Sequence, residues 1–186
     1  MGKIVVTEFI TLDGVIQDPG GAGEFDRGGW AFRFERGPEG DKLKLDEIMS
    51  AEAQLLGRKT YEGFAAAWPD REDEMGFADK FNSMPKYVVS STLTDPAWQN
   101  SHVISLDDVA ALREKHDGDI LVAGSASLVR GLVERGLVDE LHLMIFPVVL
   151  GAGLKLFEDG SEVPFEIVET IRSGEVTTLI LRPKNG

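Results

Sequence analysis

The chain has 186 residues, of which 42% are hydrophobic and 27% charged, and it has no cysteine. That length predicts a single domain over 1–186, able to bury about 70% of its unfolded surface without disulfide or metal staples. The missing cysteines remove thiolate nucleophiles, Fe–S clusters and Cys-ligated zinc, and 19 Lys and Arg against 32 Asp and Glu leave a net charge of −13, which argues against nucleic-acid and membrane-surface partners.

The start of the chain, Met1-Gly2-Lys3-Ile4-Val5-Val6, lacks the apolar core of a signal peptide, and no apolar run approaches membrane-helix length. A cytoplasmic protein is expected. Lys3 to Ile10 reads as a strand rich in Ile, Val, Phe and Thr. Leu12-Asp13-Gly14-Val15-Ile16 leads into the glycine-rich Asp18-Pro19-Gly20-Gly21-Ala22-Gly23, a loop that is mobile or shaped by a ligand. From Asp18 to Gly40 there is little periodicity, and long irregular segments in compact domains are usually functional. Its aromatics Trp30, Phe32 and Phe34 either stack a flat heterocycle or close the core.

Asp41 to Met49 predicts a helix with Leu43, Leu45, Ile48 and Met49 near one face. Ala53 to Gly57 suits a buried strand and a tight strand-to-helix turn, with Arg58-Lys59-Thr60-Tyr61 opening the next helix. Trp68 to Met75 reads as a loop. Lys86 to Ser90 is a strand that Ser91 leaves, and His102 to Ile104 is a brief one. Ser105 caps a helix whose first turn holds Asp107 and Asp108. Ile120 to Gly124 is a buried strand, after which Ser125 can cap a helix striped by Leu128, Val129, Leu132 and Val133 and ended by Gly136. Val138 to Val149 is strand-like. Phe165 to Ile171 and Val176 to Arg182 form a hairpin around Ser173-Gly174. The alternation predicts an α/β layered domain with a largely parallel sheet and an antiparallel C-terminal hairpin.

Ligands of open α/β sheets bind outside the carboxyl ends of the strands. Three such ends carry small or hydroxyl residues: Gly57-Arg58-Lys59-Thr60, Ser90-Ser91-Thr92 and Gly124-Ser125-Ala126-Ser127. Free N–H groups at helix starts suit phosphate, glycine lets it approach the backbone, and Arg58 and Lys59 add cations. Together they predict a site for a phosphorylated nucleotide, although each alone reads as a helix cap or a surface charge. Neither the phosphate loop of nucleotide triphosphatases nor the usual dinucleotide fingerprint is present. His102, His116 and His142 are scattered without metal-ligand spacing, so no metal is expected.

In order and spacing these motifs resemble the dihydrofolate reductase-like superfamily. The segments Leu12-Asp13-Gly14-Val15-Ile16, Leu56-Gly57-Arg58-Lys59-Thr60-Tyr61, Lys86-Tyr87-Val88-Val89-Ser90-Ser91 and Val122-Ala123-Gly124-Ser125-Ala126-Ser127-Leu128 carry the resemblance. Val138-Asp139-Glu140-Leu141-His142-Leu143 and Pro147 to Phe157 are similar to the bacterial riboflavin-biosynthesis reductase branch. The resemblance implies a three-layer fold, an NADPH cofactor and hydride transfer to a small heterocycle, pterin-like or ribosylaminopyrimidine-like. It implies Arg58 and Lys59 near the adenosine 2′-phosphate and Thr60 facing the pyrophosphate beside Gly57. Ser90 and Ser91 would border the adenosine, and Gly124, Ser125 and Ala126 would meet the pyrophosphate and nicotinamide ribose.

Folate reductases need a carboxylate in the first helix, and Asp41, 57 − 41 = 16 residues before Gly57, is the counterpart by spacing; the plainer reading is an acid stabilised by the helix dipole. Asp41 is thus the candidate catalytic residue, Asp13 and Trp30 the candidate substrate contacts, and Asp13, Asp41 and Glu8 the candidate proton donors. The zinc deaminase fused to riboflavin-type reductases has no counterpart motif here. Leu143 to Val149 and Leu150-Gly151-Ala152-Gly153 form a candidate homodimer surface. The rival reading is a binding module that kept the fold and lost the chemistry.

Overall fold

The computed structural model describes residues 1–158 and 162–184. Ile4–Thr11 (β1) has side chains buried on both faces, as a central parallel strand requires. After a 3-10 turn at Trp30–Arg33 come Gly37–Ser50 (α1), Ala53–Gly57 (β2), Arg58–Ala67 (α2), Phe77–Ser83 (α3), Lys86–Val89 (β3) and Ser101–Ile104 (β4). Then follow a 3-10 turn Leu106–Asp108, Val109–Lys115 (α4), Ile120–Ala123 (β5), Ala126–Glu134 (α5), Glu140–Phe146 (β6), Phe165–Ser173 (β7) and Val176–Pro183 (β8). The strands make one sheet in the order β4-β3-β2-β5-β1-β6-β8-β7. β1 to β6 run parallel, and β8 runs antiparallel to both β6 and β7. The parallel sheet with its antiparallel C-terminal hairpin is therefore as expected.

Strand alternation divides the core into two layers around the sheet. Ile4, Val6, Leu55, Val122 and Leu141 pack against Val109 and Leu112 of α4 and Val129 and Leu132 of α5. On the other face Val5, Leu56, Val88 and Leu121 meet Tyr61 of α2 and Phe81 of α3. The layers bury apolar surface on both sides, which at about 25 cal/mol per Å² is the main drive for folding. At the α2–α3 side, Lys86 is fully buried and donates to the carbonyls of Phe81, Asn82 and Met84 at 2.6, 3.2 and 2.8 Å, its ammonium 4.3 Å from the Trp98 ring centre. It satisfies the carbonyls that the end of α3 leaves free.

Several expectations are revised. α1 begins at Gly37, with Pro38 in its first turn, not at Asp41. Its inner stripe is Gly40, Lys44 and Glu47 followed by Ala51, and Met49 is exposed. The stripe is polar because it packs on polar groups of the sheet, Thr7 and His142. α3, a short helix beyond the expected elements, buries Ala78 and Phe81, and its first turn is held by Asp73, whose carboxylate accepts the N–H groups of Met75, Phe77 and Ala78. Ser105 and Asp108 form the expected cap before α4, as a reciprocal capping box. The Leu143 to Val149 run lies mostly within β6, paired on both edges by β1 and β8. Its exposed apolar continuation is Val149, Leu154 and Phe157. No helix among the described residues is long and apolar enough to cross a membrane.

Candidate functional site

β2 and β5 are neighbours, so the turns that follow them stand side by side at the carboxyl edge of the sheet. Gly57 ends β2 in extended conformation. A Cβ there would run into the side chain of Ser125, so only glycine lets the two turns touch. Gly124 is left-handed, and a Cβ on it would stand 2.6 Å from Thr60 Oγ1. Ser125 is left-handed too, at φ 63°, a conformation that costs a non-glycine residue about 1–2 kcal/mol. This is why Ser125 does not make the expected helix cap: its hydroxyl is turned against Gly57 and makes no capping hydrogen bond. The first turns of α2 and α5 both lack a side-chain cap, and their N–H groups face one edge. Ala126 is buried at the start of α5, so that turn presents its backbone rather than its side chain.

A groove of about 570 Å³ runs beside these turns. Gln17 and Glu24, on either side of the glycine-rich loop, line it with Arg58, Lys59, Glu62 and Gly63 of α2. Arg58 donates to both carboxylate oxygens of Glu62, at 2.9 and 3.1 Å, and Lys59 is exposed. The glycine-rich loop is shaped by its own hydrogen bonds. The Asp18 carboxylate accepts the N–H groups of Ala22 at 2.6 Å and Gly23 at 3.3 Å, and its carbonyl takes those of Gly21 and Gly29. At the end of β3, Ser90 Oγ accepts from the N–H groups of Thr92 at 3.2 Å and Leu93 at 3.0 Å, and Ser91 is exposed. The structure thus brings Gly57, Thr60, Gly124 and Ser125 into contact, with Arg58 and Lys59 on the adjoining groove.

Three other candidates stand elsewhere. Asp41 points off the solvent side of α1 and pairs with Arg36 at 2.8 Å. The inner position at the head of that helix is Gly40, near Met144. Trp30 is fully buried, edge-on to Phe146, and donates to the Gln17 carbonyl at 2.8 Å, so it closes the core and offers no stacking face. Phe34 packs edge-on to the same ring, and Phe32 is exposed. Asp13 fastens the end of β1 to the 147–151 segment: it accepts from Thr11 Oγ1 at 2.6 Å, Gly151 N at 2.8 Å and Leu150 N at 3.2 Å. The Thr11 hydroxyl first, and then those N–H groups, hold its pKa down at about 2.

Sequence reasoning missed a polar cluster under α1. Glu47 accepts from Thr7 Oγ1 at 2.9 Å and Lys44 Nζ at 3.0 Å, and lies 2.7 Å from His142 Nδ1. His142 Nε2 lies 3.1 Å from Glu140. Burial alone would raise the Glu47 pKa, but the Lys44 charge and the His142 hydrogen bond bring it down to about 2. Burial alone would lower the His142 pKa, but Glu47 and then Glu140 override it and raise it. Lys44 also lies 5.2 Å from the centre of the Phe9 ring, and Arg36 5.6 Å, so two cations flank one aromatic on the α1 side. The available signal was Lys44 and Glu47 at i, i+3 and a histidine inside an apolar run.

Residues 2–179 match the model of the RibD C-terminal domain, and the chain belongs to that family. It is 33% identical over 164 residues to YyaP of Bacillus subtilis strain 168, a match spanning 84% of this chain and 81% of that protein. Among solved structures it is similar to a protein of Shewanella sp. PV-4 named for riboflavin biosynthesis, with a TM-score of 0.75 at 20% identity over 98% of this chain and 99% of the other. It is also similar to the dihydrofolate reductase of Enterococcus faecalis solved with NADP(H), with a TM-score of 0.60 at 15% identity over 99% and 98% of the two chains. The fold is dihydrofolate reductase-like, of the RibD C-terminal branch.

Proposed function

We propose that this member of the RibD C-terminal domain family is a cytoplasmic NADPH-dependent reductase of a small heterocyclic substrate. The observation that carries the reading is the interlock of the Gly57–Thr60 and Gly124–Ser125 turns beside a groove holding Arg58 and Lys59. The residues fit the cofactor. Gly57 and Gly124 let the two turns close on each other, and the two uncapped helix starts there offer a pyrophosphate N–H donors. Arg58 and Lys59 supply positive charge for a 2′-phosphate in an otherwise acidic protein. Bound there, NADPH supplies a hydride; the chain binds and orients it. Ser90 and Ser91 are proposed at the adenosine side, and Gly124, Ser125 and Ala126 at the pyrophosphate.

The substrate would lie on the α1 side of β1, where Phe9 sits between Arg36 and Lys44. A pterin held by a first-helix carboxylate fits this face poorly, since Gly40 occupies the inner position and Asp41 faces away. A pyrimidine-type substrate, which needs no such acid, suits this face better.

Fluorescence titration with NADPH and NADH tests the cofactor. NADPH is expected to bind more tightly, and Arg58→Ala to weaken NADPH about tenfold while leaving NADH nearly unchanged. Equal losses for both nucleotides would remove the 2′-phosphate role. Binding without turnover of any pterin or pyrimidine would favour the rival reading as a binding module. A homodimer is also proposed, supported by the riboflavin-type resemblance and the exposed Val149, Leu154 and Phe157. Light scattering at micromolar concentration should give twice the chain mass.

A further inference from the structure

Arg58 stands where a helix least favours a cation. It is the first residue of α2, and that first turn carries Arg58 and Lys59 and no acid, although the helix dipole makes this end positive. Its counter-charge is Glu62, one turn further on. Arg58 Nη1 donates to both Glu62 carboxylate oxygens, at 2.9 and 3.1 Å. Along a helix, cation before acid is the weaker order for such a pair. The two side chains are 41% and 50% exposed, so their contact adds little to the fold. Native sequences break local rules of this kind mostly at functional sites. Both side chains line the groove beside the interlocked turns, together with Lys59 and Glu24, so two cations are matched there by two acids. A guanidinium has five N–H donors, and both bonds to Glu62 come from Nη1.

We propose that Glu62 is a specificity-determining residue of the nucleotide site: its carboxylate competes with a 2′-phosphate for the Arg58 guanidinium, and so limits how far the groove prefers NADPH to NADH. The inference rests on the nucleotide reading above and adds to it the acid that opposes the phosphate. In the free protein Glu62 neutralises Arg58. A phosphate that takes the guanidinium must either displace Glu62 or share the cation with it, and a second anion a few ångströms away costs affinity. A 2′-hydroxyl carries no charge and meets no such competition. Both side chains are half in water, so screening holds the cost to about fivefold in affinity.

The test is fluorescence titration of NADPH and NADH on the wild type, Glu62→Gln, Arg58→Ala and the double variant, at about 0.05 M and about 0.5 M salt. Glu62→Gln, which keeps the shape and removes the charge, should bind NADPH about fivefold more tightly at low salt and NADH within about twofold of the wild type. The gain should shrink at high salt, where exposed charges are screened. In the Arg58→Ala background, Glu62→Gln should change NADPH affinity by less than about twofold, because without the guanidinium to hold it the half-exposed carboxylate turns to water. A full gain that persists without Arg58 overturns the inference, since the charge then acts without competing for that cation. So does Glu62→Gln weakening NADPH, which would make Glu62 a support for Arg58, and so does an equal gain for both nucleotides. If the wild type binds both nucleotides and Glu62→Gln leaves NADPH unchanged, this inference alone fails. If neither protein binds either nucleotide, the nucleotide reading fails and this inference fails with it.

Discussion

Gly57→Ala is expected to weaken NADPH and NADH alike by at least about tenfold and to cost about 1–3 kcal/mol of stability. The backbone of Gly57 is extended, so alanine is conformationally acceptable there. The damage comes from the new methyl group, which must occupy the volume already held by the Ser125 side chain. Ser125 is fixed in a left-handed conformation at the head of α5 and cannot withdraw without moving the turn. Displacement of that turn moves the N–H groups proposed for the pyrophosphate, a part both nucleotides share, whereas Arg58→Ala should discriminate between them. Adding Ser125→Gly removes the obstruction and replaces a strained residue with one at ease at positive φ. The double variant should recover most of the loss, with a coupling of about 1–3 kcal/mol in urea denaturation and in nucleotide affinity. Additive losses would mean that the two turns do not meet as described.

The largest loss of stability is expected from Glu47→Ala. The substitution strands the Lys44 ammonium and His142 without their shared acid, under a helix that excludes water. Removing one partner of a buried ion pair costs about 3–5 kcal/mol, which lowers the Tm of a domain of this size by about 10 °C. The pH dependence has two limbs. Glu47 is held at about 2, below its ordinary 4.5, so its contribution is present above 4.5 and lost as pH falls toward 2. His142 is raised above its ordinary 6.5, so its contribution is present below 6.5 and lost as pH climbs past its raised value. The cluster should stabilise most between about 4.5 and 6.5. Thermal melts from about pH 3 to 8 should show both limbs in the wild type; Glu47→Ala should lose the Glu47 limb and keep only the weaker part of the His142 limb that Glu140 sustains. Glu47→Gln, which keeps a hydrogen-bonding group without the charge, should fall between them. A Glu47→Ala melt that matches the wild type across the range would remove the cluster from the stability of the fold.

What was legible along the chain was what is local. The turns after β2 and β5 announce themselves through glycine beside hydroxyl residues, and the cap before α4 through Ser105 and Asp108. The phase of α1 was not legible. Its apolar residues suggested one inner face, but burial follows what the helix packs against, and that is Thr7 and His142, 40 and 95 positions from Glu47. With the phase went the role of Asp41, which the helix turns to solvent. Trp30 shows the same gap. An aromatic in an irregular segment serves equally well as a platform or as core, and only the position of Phe146 beside it decides.

The sequence alone determined the layered α/β plan, the parallel sheet with its antiparallel hairpin, and the strand ends that carry the glycine and hydroxyl turns. Periodicity, turn residues and caps act over a few residues, so a linear reading recovers them. Only the tertiary structure decided that Gly57 and Ser125 fill one another's space, and that Glu47 and His142 share a proton-sensitive contact. Each of these joins residues on different elements, and the free energies involved, excluded volume and the desolvation of charge, depend on neighbours that sequence spacing does not specify.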